Sequence, residues 1–374
     1  WSLKSHQLGE RYMRSKAAIV GEKSGAFKIT EVELADLRDD EVLVRIVGVG
    51  VCHTDLICRD QVYPVSFPAV FGHEGSGVVE KVGERVTKVA PGDHVVLTFR
   101  SCGRCRSCLS GDPTHCPQTF EANFSGKRSD GSATIHHHDV PIFGNFFNQS
   151  SFAAYALANE ANTVKVRKEV PLEYLGPLGC GIQTGAGAVM NALKPPVGSS
   201  IAVFGCGSVG LAAIMAAYVV GCTTIVAVDL LESRRALARE LGATHAFDPA
   251  QGNVVDEIKQ LGGVDYSLEC TGIPSVLRQA VECLGVPGVC GQVGAAPLGA
   301  EVTLDVNSIM FGRSVIGVIE GQSVPDVFIP KLVELYRQGR FPLEKLTTFY
   351  SLDEIDQAVR DSESGRVIKA VLRP

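Results

Sequence analysis

Ser200-Ile201-Ala202-Val203-Phe204-Gly205-Cys206-Gly207-Ser208-Val209-Gly210 decides the fold. A short apolar strand runs into Gly-x-Gly-x-x-Gly, and a helix-forming stretch, Leu211 to Val220, follows it. A second strand, Thr224 to Val228, ends in Asp229, nineteen residues beyond the third glycine. A strand before, a helix after and an acid at that distance make a dinucleotide-binding βαβ unit, which a bare glycine triplet would not. Gly205 permits the turn, Gly207 lets a pyrophosphate approach the backbone, and Gly210 lets the helix pack close to the strand. The helix N-terminus offers free N–H groups and positive potential to the phosphates. Asp229 can accept hydrogen bonds from both ribose hydroxyls and repels a 2′-phosphate, so the reading favours NAD, although Arg234 and Arg235 lie close by.

Working outward, strand and helix patterns continue to about Glu320, with strands expected at Asp265 to Glu269, Val289 to Val293 and Ser314 to Ile319. They complete an open, doubly wound parallel sheet. Upstream, short β-rich runs at Lys16 to Val20, Ala26 to Thr30, Val42 to Gly50, Gly75 to Val82 and His94 to Leu97 are broken by glycine and charged turns. Their close spacing predicts a small distorted barrel or sandwich. After Pro325 come an amphipathic helix, Phe328 to Gln338, and a terminal strand, Val367 to Leu372, both assigned to the first domain. The fold class is α/β, with a β-rich domain over residues 1–181 and 321–374 and a Rossmann domain over 182–320; 374 residues exceed what one core supports.

With 35 basic and 41 acidic residues the net charge is −6, which argues against nucleic acid or an anionic membrane as partner. A small neutral or electron-rich substrate fits better. Twelve cysteines without a basic-then-apolar leader predict reduced thiols in a cytoplasmic protein. The longest apolar stretch, Val209 to Val220, falls short of the roughly 20 residues a spanning helix needs. Residues 1–12 are polar, begin with Trp1, and receive no function.

Chemistry concentrates elsewhere. Cys52-His53-Thr54-Asp55 and Gly72-His73-Glu74 combine a thiolate, an imidazole, a hydroxyl and two carboxylates, a set that suits a metal activating an oxygen. Cys102, Cys105, Cys108 and Cys116 lie within fifteen residues and can close a tetrahedral site, as a structural zinc requires. An iron–sulfur cluster is the rival, and the seven-residue last gap disfavours it. Cys180 sits between Gly179 and Gly181, as a ligand on a turn would; alone it would read as an inert buried thiol. His136, His137 and His138 are expected in a solvated loop and are left out of the site, because sequence neighbours point different ways.

These motifs, in this order, resemble the zinc-containing medium-chain alcohol dehydrogenases from about Lys16 onward, and the segments Cys52 to Asp55 and Gly179 to Gly187 are most similar to the aryl-alcohol (benzyl-alcohol) branch. The resemblance implies a GroES-like catalytic domain beside the Rossmann coenzyme domain, and two zinc ions per chain. It matches Cys52, His73 and Cys180 to the catalytic zinc and the four-cysteine run to the structural zinc. Asp55 and Glu74 match supporting carboxylates, Thr54 the hydroxyl that handles the alcohol proton, and Thr184 a residue beside the nicotinamide. His53 and Lys369 match pyrophosphate contacts, and Tyr63, Thr98, Ala295 and Ile319 line the substrate pocket. A histidine that relays the proton in many relatives is replaced by Ile57. The expected activity is reversible oxidation of a primary aromatic or allylic alcohol to the aldehyde, with hydride transfer to NAD. The alternatives are general aliphatic alcohol oxidation and glutathione-dependent formaldehyde oxidation, whose arginine four residues after the last structural cysteine is Phe120 here, followed by Glu121. A zinc-free quinone reductase would lack the cysteine sets, and a zinc-ribbon binding protein would need no glycine turn. The family also implies a homo-oligomer, dimer or tetramer, paired through the Val302 to Ile319 edge.

Overall fold

The computed structural model describes residues 13–374, so the reading of residues 1–12 lies outside the described residues. The decisive stretch folds as its pattern predicts: strand Ser200–Phe204, then helix Ser208–Val220, then strand Thr224–Val228. The helix is apolar all round and buried from Gly210 to Ala217, as a helix under a sheet must be. It stops at Gly221, whose φ of +91° a side chain would resist. Six parallel strands follow the order His245–Phe247, Thr224–Val228, Ser200–Phe204, Val264–Glu269, Leu284–Gln292, Arg313–Gly317. Strand order reverses at Ser200–Phe204, which opens a crevice at the carboxyl ends of the strands, where such sheets bind ligands.

The remaining strands form two largely antiparallel sheets. Among the described residues one has five strands, with Lys28–Leu34 in the middle; the other has seven and is built around Glu41–Gly50, which pairs with Gly75–Val82, Tyr155–Asn159 and the terminal strand Lys369–Arg373. The chain end therefore returns to the first sheet system, with Val371 opposite Gly50 and Lys369 two residues before it. The histidine run differs from expectation: Ile135–His137 is a short strand paired with Val140–Ile142, and left-handed His138 and Asp139 make the turn. Among the described residues no helix is long and apolar enough to cross a membrane.

Candidate active site and a closed cysteine site

Cys52 caps the helix His53–Arg59, and Asp55 in its first turn ties three elements together. One Asp55 oxygen accepts the Cys52 N–H at 3.0 Å; the other accepts the Gly72 N–H at 3.0 Å and lies 2.9 Å from His73 Nδ1. With Nδ1–H given to Asp55, the lone pair of His73 is on Nε2, and that buried atom has no hydrogen-bond partner. Phe147 stacks on the imidazole at 4.5 Å between ring centres. Cys52, His73, Glu74 and Cys180 present donor atoms that all lie within 4.8 Å of one another. An orphaned imidazole nitrogen between two thiols fits a zinc ion. Without metal, a hydrogen bond from Cys180 draws the Cys52 thiol well below its usual range and pushes Cys180 well above, so metal binding at this pair releases protons. Burial opposes charge on His73, yet Asp55 and Cys52 raise it overall.

Glu74 turns to the protein. Its carboxylate receives Lys369 Nζ at 2.9 and 3.1 Å and the Gly181 N–H at 3.0 Å. Gly50 faces it, and a Cβ there would overlap the carboxylate. Lys369, named as a pyrophosphate contact, is 3 % exposed and also donates to the Val51 carbonyl at 3.1 Å.

The glycine turn fits a dinucleotide. Gly205 has φ +90°, a Cβ on Gly210 would overlap the Gly205 carbonyl, and a Cβ on Gly207 would meet nothing within 4 Å, which is the open space a pyrophosphate needs. Asp229 lies at its edge, accepting from Cys206 N–H at 2.7 Å and Leu231 N–H at 2.9 Å, with Arg234 at 3.9 Å.

The other predicted residues are dispersed around this centre. Thr54 Oγ1 is 3.8 Å from Cys52 Sγ, His53 is exposed beside it, and Thr184 is buried in helix Gly181–Gly187. Tyr63 is half-buried among aromatic rings. Ala295 and Ile319 are exposed on the parallel-sheet side. Thr98 is fully buried, donating to Gly179 O at 2.7 Å and accepting from Gln183 Nε2 at 2.8 Å. Gln183 was passed over in the sequence, as was Glu320, whose carboxylate meets Cys180 Sγ at 3.5 Å and Gln183 Nε2 at 3.2 Å. Burial pushes Glu320 up to about 7. The available signal was a lone acid ending the apolar run Val315 to Ile319. Glu320, Gly321 and Gln322 are consecutively left-handed, and for the two non-glycine residues that costs roughly 1–3 kcal/mol each.

The four-cysteine group is separate. Cys102, Cys105, Cys108 and Cys116 bring their sulfurs within 4.8 Å of one another. Local N–H groups point at them: Cys105 N–H to Cys102 Sγ at 3.3 Å, Cys108 N–H to Cys105 Sγ at 3.5 Å, Cys102 N–H to Cys116 Sγ at 3.4 Å. Backbone donation from Arg104 leads in bringing the Cys102 thiol down to about 6. Four sulfurs and no open position suit a structural metal.

An α/β dehydrogenase with two cysteine-containing candidate metal sites is what the fold and these residues define. Residues 38–168 match the alcohol dehydrogenase GroES-like domain and residues 208–337 the zinc-binding dehydrogenase domain. A geraniol dehydrogenase of Castellaniella defragrans is 45 % identical over 367 residues, covering 96 % of this chain and 98 % of that protein. The crystal structure of benzyl alcohol dehydrogenase from Acinetobacter calcoaceticus superposes with a TM-score of 0.93 at 48 % identity, covering 96 % of this chain and 99 % of that one. An S-(hydroxymethyl)glutathione dehydrogenase of Paracoccus denitrificans is 34 % identical over 374 residues, 96 % of this chain and all of that one. The chain belongs to the zinc-containing medium-chain alcohol dehydrogenases.

Proposed function

We propose that the enzyme oxidises primary aromatic or allylic alcohols to aldehydes, reversibly, with NAD as hydride acceptor. The observation that carries this reading is an aromatic wall leading away from His73: Phe147 stacks on the imidazole, Phe124 meets Phe147 at 5.1 Å, and Phe120 stacks on Phe124 at 4.7 Å, with Tyr63 edge-on to both at 6.5 and 6.2 Å. A planar ring or an allylic double bond gains offset and edge contacts along such a wall that ethanol does not. The relatives named for geraniol and benzyl alcohol support the same substrate classes. Phe120 and Glu121 count against a glutathione adduct, whose carboxylate would meet an apolar ring and a like charge.

Cys52, His73 and Cys180 hold the catalytic zinc in this reading, which when bound supplies Lewis acidity that acidifies a hydroxyl, while bound NAD accepts hydride. Asp55 fixes the His73 tautomer. Thr54 takes the alcohol proton, and because Ile57 is apolar and 7 % exposed it cannot pass that proton on; His53 or water beside Thr54 would carry it outward, with the ribose hydroxyls of NAD available when the coenzyme is bound. If Ile57→His leaves the pH profile and solvent isotope effect unchanged, that position is off the proton path. Asp229 selects NAD by accepting from the ribose hydroxyls. Thr184 would lie beside the nicotinamide, and Lys369, which also pairs with Glu74, would contact the pyrophosphate. Tyr63, Thr98, Ala295 and Ile319 border the alcohol site. Cys102, Cys105, Cys108 and Cys116 carry the second, structural zinc.

The domain limits of 1–181 with 321–374 and 182–320, and a cytoplasmic location, belong to the same reading. All twelve cysteines are unpaired, as a reducing compartment requires. Exposed Val306, Met310 and Phe311 beside the edge strand Arg313–Gly317 favour a homo-oligomer joined at that edge. The test is kcat/KM for benzyl alcohol, geraniol, ethanol and hydroxymethylglutathione with NAD and with NADP. Benzyl alcohol or geraniol with NAD is expected to lead; leadership by hydroxymethylglutathione, ethanol or NADP overturns the corresponding part.

A further inference from the structure

Three carboxylates surround the open metal centre, and two of them are already engaged. Asp55 is committed to His73 Nδ1 and the Cys52 and Gly72 N–H groups. Glu74, although among the four closest donors, is neutralised by Lys369 and held by Gly181 N–H. Glu320 has no ion pair; its carboxylate meets only the Cys180 sulfur at 3.5 Å and the Gln183 amide at 3.2 Å among the described residues.

Cys180 must be a thiolate to bind a metal, and a thiolate beside a carboxylate at 3.5 Å is repulsive unless a cation touches both. The Cys180 thiol donates to the Glu320 carboxylate across this 3.5 Å, and zinc–sulfur and zinc–oxygen bonds of about 2.3 and 2.0–2.2 Å put two tetrahedral donors roughly the same distance apart, so an ion can replace the shared proton with little change in that separation. The backbone points the same way. Glu320, Gly321 and Gln322 have φ of +49°, +64° and +45°. A Cβ on Gly321 would overlap the Gln183 carbonyl and crowd Gly187, so this turn is keyed into the helix Gly181–Gly187 that starts immediately after Cys180. The Ser323 hydroxyl lies 3.0 Å from Gln183 Oε1 and 2.7 Å from the Glu320 carbonyl, which fixes the amide that steers the carboxylate. A strained turn, over-determined by its surroundings, presents a carboxyl group with no cationic partner among the described residues to the metal ligand.

We propose that Glu320 is the fourth protein donor to the catalytic metal in the substrate-free enzyme, and that it leaves when alcohol takes that position. The proposal rests on Cys52, His73 and Cys180 being that metal's ligands. Glu320 stands outside the four groups within 4.8 Å of one another, so it reaches the ion by a turn of its own side chain, which is what a donor that leaves requires.

The test uses full-length enzyme, free of coenzyme and alcohol, with cobalt(II) exchanged into the catalytic site. The d–d spectrum and the rate of metal release to a chelator are compared for wild type, Glu320→Gln and Glu320→Asp, which keeps the charge but shortens the reach. Both variants are expected to shift the d–d bands and to release metal at least ~10-fold faster. Imidazole, which enters the open position as a ligand, should make the three spectra converge and bind the variants more tightly, because it no longer displaces a carboxylate. A merely structural role would not give that convergence. Two metals per chain with spectra and release rates identical in all three proteins overturn the proposal alone. A wild type that binds only one metal per chain overturns the three-ligand reading and the proposal with it.

Discussion

The two cysteine sites solve the same coordination problem from opposite directions. At Cys102, Cys105, Cys108 and Cys116 every sulfur comes from one short loop, and the N–H groups that steady the thiolates come from the same loop. At Cys52, His73 and Cys180 each donor belongs to a different element, and each is braced by another part of the chain: Cys52 and His73 by Asp55, Cys180 by the Glu320 turn, with the neighbouring Glu74 held by Lys369 from the terminal strand. A closed site asks only for four soft ligands, so local chain suffices. An open site must leave one position free, aim it at a substrate and hold it beside a hydride acceptor, and only the assembled fold can meet those demands.

Removing one cysteine from each site is the most forceful way to break this comparison. Cys180→Ser is expected to lower turnover by several orders of magnitude and metal content from two per chain to one, with little change in the thermal midpoint. Retention of more than about a tenth of wild-type kcat would take Cys180 out of the ligand set. Cys105→Ser is expected to do the reverse: structural metals contribute folding free energy directly, so the unfolding midpoint should fall by an amount equivalent to several kcal/mol, while kcat per folded molecule stays within a few-fold. A Cys105→Ser enzyme that keeps its midpoint but loses activity would mean the closed site supports the reaction after all.

The same division explains what the sequence disclosed. Cys102 to Cys116 was legible because its geometry is its spacing. The strand, glycine turn and helix from Ser200 were legible because the φ of Gly205 and the close approach at Gly210 are demands that only glycine satisfies at those positions. Strand edges moved by a few residues, and the His136 to His138 segment proved to be half a hairpin because its pairing with Val140–Ile142 is a contact no local pattern encodes. Gln183 and Glu320 were invisible for a stronger reason. Each is an ordinary polar residue until a contact across about 140 positions sets the 3.5 Å and 3.2 Å distances. Lys369 illustrates the point further: it lies 295 residues from Glu74, and only the pairing of Lys369–Arg373 with Glu41–Gly50 brings the ammonium to the carboxylate.

A gentler probe of the open site is Asp55→Asn. The amide keeps the shape but loses the charge that sets the His73 tautomer, and its N–H₂ group faces N–H donors that the carboxylate used to accept. Loss of such outer support typically weakens metal binding 10–100-fold, so faster loss of catalytic-site metal to a chelator is expected, with the four-cysteine metal unaffected. Equal loss from both sites would show that the variant loosens the whole domain, and the contrast between local and long-range bracing would fail.

The finest test concerns where the open site ends. The Phe124 ring meets those of Phe120, Phe146, Phe147 and Tyr63, whereas the Phe120 ring, among the described residues, meets the rings of Phe124 and Tyr63 and is 56 % exposed. Aromatic pairs contribute about 0.5–1.5 kcal/mol beyond burial, so Phe124→Ala should lower kcat/KM for benzyl alcohol about tenfold and leave ethanol within a few-fold. Phe120→Ala should cost benzyl alcohol only about twofold, because one face of that ring is wet. Geraniol discriminates further, since its longer chain reaches past a benzene ring. If Phe120→Ala impairs geraniol more than benzyl alcohol, the wall works along its whole length and the exposed ring is a substrate contact; if both substrates are indifferent, the pocket ends at Phe124. Equal losses for ethanol would instead mean that these rings act by supporting His73 through Phe147, which would make the wall part of the metal's bracing.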